Sequence, residues 1–344
     1  MLPLPAWGPV AYITLLAVIA PAALMGLWRR RGARRLAAGT HVLITGGSKG
    51  LGLALARQCA QRGCSVTVVA RSQPDLDAAL QQLREAAVAG GAERAGQRLQ
   101  ALSADTADPA KLKKMLAEAE STAGPVNVLI CNAGFSAPGL FVEQGPEVHE
   151  RQMRVNYLGT VHTVQAALPG MLERRQGRIV LVASTMAVLG FAGYSSYAPS
   201  KWAVRGLADC LHNELQGTGV HISVAYPPDT DTPGYATEME TKPALCKAVN
   251  AALGSELFSA EKVAKALLGG IEAGNYHLPS PDFGQNLLVS SMTGLSPKRF
   301  WLPLEMLLGP FMPLITSLFG WIADRAARRH NEAHGMPPRA YPVD

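Results

Sequence analysis

Tyr197 and Lys201 stand four residues apart in "SSYAPSK". On a helix, residues i and i+4 share one face, so both side chains can enter one cleft. A free tyrosine, near pKa 10, is a poor proton source and sink at neutral pH. A nearby ammonium stabilises the phenolate and is expected to lower that pKa, fitting the phenol for general acid–base work. Ser184, in "LVASTM", closes an apolar run, and its hydroxyl can polarise a carbonyl. Asn156 follows in "RVNYLG". Any one of these could be a bland surface or core residue; jointly they point to proton transfer at a carbonyl. Pro199 lies between tyrosine and lysine, and a helix accepts proline only in its first turn. Tyr197 should therefore open the helix, where the positive terminus also favours a phenolate.

A second constellation reads as a nucleotide cradle. Thr45-Gly46-Gly47-Ser48-Lys49-Gly50-Leu51-Gly52 joins an apolar run to a helical one. Glycines let the backbone turn tightly and approach a pyrophosphate resting on the helix N-terminus. The next apolar run ends in Ala70-Arg71-Ser72-Gln73, with no acid to bind a ribose 2′-hydroxyl. Arg71 and Lys49 can instead neutralise a 2′-phosphate, which predicts NADP(H). The five cysteines form no C-x-x-C pair, so no metal is expected and they read as reduced thiols.

These groups need a scaffold, and the hydrophobic pattern supplies one. Short continuous apolar runs, "THVLITGG", "CSVTVVAR", "RLQALSAD", "VNVLICNAG", "GRIVLVAS" and "VHISVAYP", alternate with helical stretches. Among these are helices over 109–123, 147–174, 196–216 and 259–273. Strands apolar on both faces, alternating with helices, predict an α/β doubly wound parallel sheet of Rossmann type. Residues 229–258 read as a long irregular loop after the sixth strand, where ligands bind such sheets, hence as a substrate lid.

The ends differ from the middle. Residues 7–28 carry no charge and are long enough to cross a bilayer as a helix. A cleaved signal peptide would have its positive charge before the apolar run, whereas Arg29, Arg30, Arg31, Arg34 and Arg35 follow it. An uncleaved anchor with the remaining chain in the cytosol is expected. Residues 300–323 are again apolar but broken by Pro303, Gly309, Pro310 and Pro313. They read as an interfacial or re-entrant segment, not a span. The net charge of +6 concentrates beside these apolar segments, which favours anionic lipid over nucleic acid. The expected organisation is an anchor with its basic flank over 1–36, a reductase domain over 37–280 and a membrane-associated region over 281–344.

The motif set resembles the short-chain dehydrogenases/reductases: T-G-x-x-x-G-x-G, then N-A-G after the fourth strand, then Ser…Tyr-x-x-x-Lys. The likeness covers about residues 40–275, and the order and spacing make it specific. It implies a catalytic tetrad of Asn156, Ser184, Tyr197 and Lys201. Tyr197 would donate the proton in ketone reduction, Lys201 would hold the nicotinamide ribose, and Asn156 would bind a relay water. The resemblance also places Asp105 near the adenine, and Asn132, Ala133, Gly134 and Pro227 against the cofactor. Cys131 stands where the family usually has a first asparagine, which leaves that residue's bonding in doubt. "YPPDTDTPG", with "RVNYLGT" and "KWAVRGLAD", is similar to the 3-ketosphinganine reductase branch of that family.

That branch implies a long-chain amino ketone as substrate and the endoplasmic reticulum membrane as location, with the catalytic domain facing the cytosol. Asp229 or Asp231 would pair with the substrate's ammonium; alternatively both only fix the loop through Asx-type turns. Other expected substrates for such an anchored reductase are a steroid, a retinoid or a 3-ketoacyl-CoA, and a non-enzymatic NADP-binding scaffold is the remote alternative. The lid has more acids (Asp229, Asp231, Glu238, Glu240, Glu256) than bases (Lys242, Lys247), which disfavours a CoA ester. Family members commonly associate through core helices, so at least a homodimer is expected.

Overall fold

The computed structural model describes residues 35–91, 96–292 and 311–335. Six parallel strands form one sheet in the order β3-β2-β1-β4-β5-β6. They are β1 (His41–Thr45), β2 (Ser65–Ala70), β3 (Leu99–Ser103), β4 (Val128–Cys131), β5 (Gly177–Val182) and β6 (Val220–Ala225). The chain reverses its direction of travel between β1 and β4, so a crevice opens at the carboxyl ends of those strands. Val42, Leu43 and Ile44 are fully buried, because helices cover both faces of the central strands. Burying each such side chain stabilises the fold by about 1.5–3 kcal/mol. A bridge between Val224 and His277 adds a rudiment of a seventh strand beside β6.

On one face lie α1 (Gly50–Gln61), α2 (Gln73–Ala89) and α9 (Ala260–Glu272). On the other lie α3 (Pro109–Ala123), α5 (Gly159–Glu173) and α6 (Tyr197–Glu214). The stretch expected as one helix over 147–174 is interrupted. α4 (Pro146–Gln152) passes into a widened π-turn over Met153–Leu158 before α5 begins. Such a turn accommodates an extra residue and redirects side chains, and they are frequent at functional sites. This one carries Asn156, which is fully buried.

The stretch expected as an irregular lid is ordered instead. It contains β7 (Thr230–Asp231), α7 (Pro233–Thr241), α8 (Ala244–Leu253) and β8 (Phe258–Ser259), with β7 and β8 paired in parallel. The sequence reading missed α7 and α8 because Pro233, Gly234 and Pro243 look like loop punctuation. They sit instead at helix starts, with Thr232 accepting a hydrogen bond from the Tyr235 amide. α10 (Phe283–Met292) was also unforeseen. It seats Val289 in the core and passes a hydrogen bond from Gln285 to the Tyr226 carbonyl, so the compact unit runs past residue 280.

α11 (Met312–His334) turns Ala323, Ala326 and Ala327 toward Leu245 and Val249, and leaves Leu314, Leu318, Phe319 and Trp321 about half or more exposed. The described part of 300–323 is thus regular helix. Among the described residues no helix is long and apolar enough to cross a membrane. The expected anchor over 7–28 lies outside them, as do residues 300–310.

Candidate active site

The site forms where β1, β4, β5 and β6 end. α6 opens at Tyr197, as the position of Pro199 required, and places Lys201 one turn on. The Lys201 ammonium lies 5.7 Å from the centroid of the Tyr197 ring and donates to the Val182 carbonyl at 3.0 Å. Burial pulls the Lys201 pKa down to about 8. Ser184, just beyond β5, hydrogen-bonds the Tyr197 side chain and accepts from the Met186 amide at 3.2 Å.

One expectation is corrected here. The Tyr197 phenol sits above its ordinary range, not below it. Burial raises it most, hydrogen bonding with Ser184 offsets part of that, and the carboxylates of Glu238 and Asp229 raise it further. A carboxylate disfavours a phenolate beside it. This arrangement keeps Tyr197 protonated at neutral pH, as a proton donor to a developing alkoxide must be.

Asn156 ties the segment after β4 to α6 through three hydrogen bonds, two to Phe135 and one to Ser200. Its Oδ1 accepts from the Phe135 amide at 2.9 Å, and its Nδ2 donates to the Phe135 carbonyl at 3.0 Å and to Ser200 Oγ at 2.9 Å. A Cβ placed on Gly134 would lie 3.0 Å from Asn156 Oδ1 and 3.3 Å from Lys201 Nζ, so three members of the predicted set meet there. Gln152, which the sequence reading passed over, is fully buried. It accepts from the Ala137 amide at 3.1 Å and donates to Ser196 Oγ at 2.6 Å, fixing the residue that precedes Tyr197.

The predicted nucleotide cradle is one packed unit. Thr45 Oγ1 accepts from the amides of Asn132 and Ala133 at 3.1 and 3.2 Å, and Asn132 Nδ2 donates to the Gly46 carbonyl at 3.0 Å. Gly46 has φ +64°, and a Cβ there would stand 2.9 Å from the Ala133 Cα. A Cβ on Gly52 would run into the Gly46 carbonyl. These contacts leave the rim of the turn, exposed Lys49 between half-buried Ser48 and Gly50, as the candidate surface for a pyrophosphate. Leu51 is buried below it. Cys131 is buried too, and the Asn132 and Thr45 side chains supply the polar ties.

Arg71 is exposed at the end of β2. Lys49 is also exposed, but it pairs with Asp75 at 2.9 Å, an acid just beyond the four residues that the sequence reading weighed. Asp105 accepts from the Ala107 amide at 2.9 Å and shapes the loop after β3. Pro227 accepts from Thr185 Oγ1 at 3.2 Å, which ties the loop after β6 to the Ser184 segment.

The two lid aspartates separate. Asp231 is exposed on β7. Asp229 is partly buried near Glu238, Lys242 and Ser255, and its carboxyl is raised by burial against the opposing pull of Lys242. Glu238 and Lys242 form a buried ion pair at 3.1 Å, and Tyr194 donates to Glu238 at 2.6 Å. Their i, i+4 spacing was legible as a helical pair only once α7 was known to be a helix.

The family model for short chain dehydrogenases matches residues 40–243. The 3-dehydrosphinganine reductase of Danio rerio is 37% identical over 262 residues, covering 75% of this chain and 76% of the relative. The 3-ketodihydrosphingosine reductase of Mus musculus is 35% identical over 300 residues, covering 86% and 85%. Among solved structures, levodione reductase superposes with a TM-score of 0.64 at 23% identity, over 72% of this chain and 98% of that one. A variant of actinorhodin polyketide ketoreductase solved with NADPH gives 0.61 at 28% identity, over 70% and 95%. By motif, fold and sequence, the chain belongs to the short-chain dehydrogenase family, within the branch that holds these sphingoid-base reductases.

Proposed function

We propose that this protein reduces the C3 ketone of 3-ketosphinganine to sphinganine with NADPH. The observation that carries the reading is the meeting of Ser184, Tyr197 and Lys201 under a lid whose buried charge is net acidic. Bound along the rim of the Gly46–Gly52 turn, NADPH would supply the hydride. Ser184 and Tyr197 would hold the ketone oxygen, and Tyr197 would give its proton to the oxygen as negative charge develops there. Lys201 would hold the nicotinamide ribose and stabilise the phenolate left behind. Arg71, with Lys49 once released from Asp75, would meet the 2′-phosphate.

The membrane is proposed as the source of substrate. Leu314, Leu318, Phe319 and Trp321 point outward on α11, and Arg325, Arg328 and Arg329 follow within three turns. An apolar face beside a basic end suits insertion into the headgroup region of an anionic leaflet. The other face of α11 packs on α8, whose Cys246 clusters with Tyr194 and Ala198, and Tyr197 packs against that cluster. A lipid leaving the bilayer at α11 would thus arrive beside the catalytic tyrosine. Residues 7–28 are the proposed anchor, the endoplasmic reticulum membrane the proposed location, and exposed Leu158 and Trp202 support a dimer through the core helices.

The test is NADPH oxidation by the detergent-solubilised full chain against a panel of ketones. Turnover of 3-ketosphinganine ahead of a steroid, a retinoid and a 3-ketoacyl-CoA is expected. Turnover of one of those with none of 3-ketosphinganine would overturn the reading.

A further inference from the structure

Among the described residues, Lys242 is a deeply buried cation outside the tetrad. Its side chain is 1% exposed, and its Nζ lies 3.1 Å from Glu238 Oε1. Yet the angle is poor, and this buried ammonium makes no aligned hydrogen bond. It rests between the rings of Tyr194 and Tyr235, at 5.4 and 5.5 Å from their centroids. Those faces attract a cation but accept none of its three N–H groups as a carbonyl or hydroxyl would. Buried donors left in this condition cost free energy, so the arrangement fits one that a ligand's acceptor completes.

The charges are unbalanced as well. Asp229 and Glu238 bring two carboxylates to the cluster, and Lys242 brings one ammonium. Tyr194, whose hydroxyl donates to Glu238 at 2.6 Å, has its ring centroid 6.1 Å from that of Tyr197, so a cation seated at Glu238 would lie near the group that meets the ketone.

The head of an amino ketone of this class supplies the missing parts in order: a ketone, an ammonium on the adjacent carbon and a hydroxyl on the next. We propose that Glu238, with Asp229, seats the substrate's ammonium, and that Lys242 donates to its terminal hydroxyl, so the lid reads the head group while Tyr197 reads the ketone. The assignment rests on the amino-ketone reading above. It moves the recognition role from Asp231, exposed on β7, to Glu238 on α7. Two carboxylates then face two ammonium groups, and the buried charge closes to zero.

The experiment compares kcat/KM for 3-ketosphinganine, its 1-deoxy analogue and an amine-free long-chain hydroxy ketone, using wild type, Glu238→Gln and Lys242→Met. Glu238→Gln keeps an acceptor for Tyr194 and removes only the charge. It is expected to cut the preference for the amine over the amine-free ketone by about 10- to 100-fold. Lys242→Met is expected to erase the preference for 3-ketosphinganine over the 1-deoxy analogue. NADPH affinity, read by fluorescence, should hold in both variants and so report an intact cradle. Equal losses on all three ketones, or none, would overturn the assignment while leaving the proposed reaction standing. A wild-type enzyme that reduces the amine-free ketone but not 3-ketosphinganine would overturn both.

Discussion

Two lysine–carboxylate pairs flank the crevice, and they differ in almost everything but length. At the cofactor end Lys49 meets Asp75 at 2.9 Å, with side chains 56% and 30% exposed. At the substrate end Lys242 meets Glu238 at 3.1 Å, with 1% and 14% exposed. Water screens the first pair, so it contributes little and opens readily for a phosphate. The second pair has been taken out of water, and each partner depends on the other. The cofactor end can therefore exchange partners at little cost. The substrate end is committed to a fixed charge pattern, as discrimination between head groups requires.

The largest effect is expected between the two pairs, at the chemistry they share. Tyr197→Phe removes the proton donor and keeps the ring packing. It should lower kcat by about 10³-fold or more while NADPH still binds, as steady-state kinetics and cofactor fluorescence would read. Retention of more than a tenth of the activity would remove Tyr197 from its role.

The contrast itself can be broken by two matched substitutions. Lys242→Met leaves the largely buried carboxylates of Glu238 and Asp229 without their cation and should cost about 3 kcal/mol in urea unfolding. Lys49→Met should leave the urea midpoint nearly unchanged. Similar losses at both sites would mean that burial does not distinguish the pairs.

A smaller effect concerns pH. Burial depresses Lys201 to about 8 from an ordinary 10.5, so the folded chain gives up that proton more readily than the unfolded one. Between those two pH values the unfolded state binds more protons, and stability rises with pH. Below about pH 8 the penalty is present in full. In cofactor-free protein, Lys201→Met should therefore raise Tm relative to wild type at pH 7, and the gap should narrow as pH climbs toward 10.5. A gap independent of pH would contradict the cause assigned to the shift.

How much of this was legible in sequence follows the same division. The sheet, the glycine turn and the start of α6 at Tyr197 are written locally. Continuous apolar runs have one consistent burial, and Pro199 fits only a first turn. The α7–α8 lid was not legible, because Pro233, Gly234 and Pro243 signal loops as readily as helix starts. The raised Tyr197 phenol was not legible either. Sequence shows that Lys201 is four residues away, but not that burial and two lid carboxylates outweigh it. The pairing of Asp75 with Lys49 was not legible because it joins α2 to the glycine turn across the sheet's first crossover. The π-turn at Asn156 has no sequence period of its own and depends on the segment at Phe135 that Asn156 binds.

The central claim is that Tyr197 would give a proton to the ketone oxygen of 3-ketosphinganine as NADPH supplies the hydride to its carbon. Its most direct test is to incubate the full-length protein with 3-ketosphinganine and NADPH deuterated at the transferable position, and to locate the label by mass spectrometry. The account predicts sphinganine carrying one deuterium at C3 from wild type and essentially none from Tyr197→Phe. Unlabelled sphinganine, or equal labelled product from the variant, would contradict it.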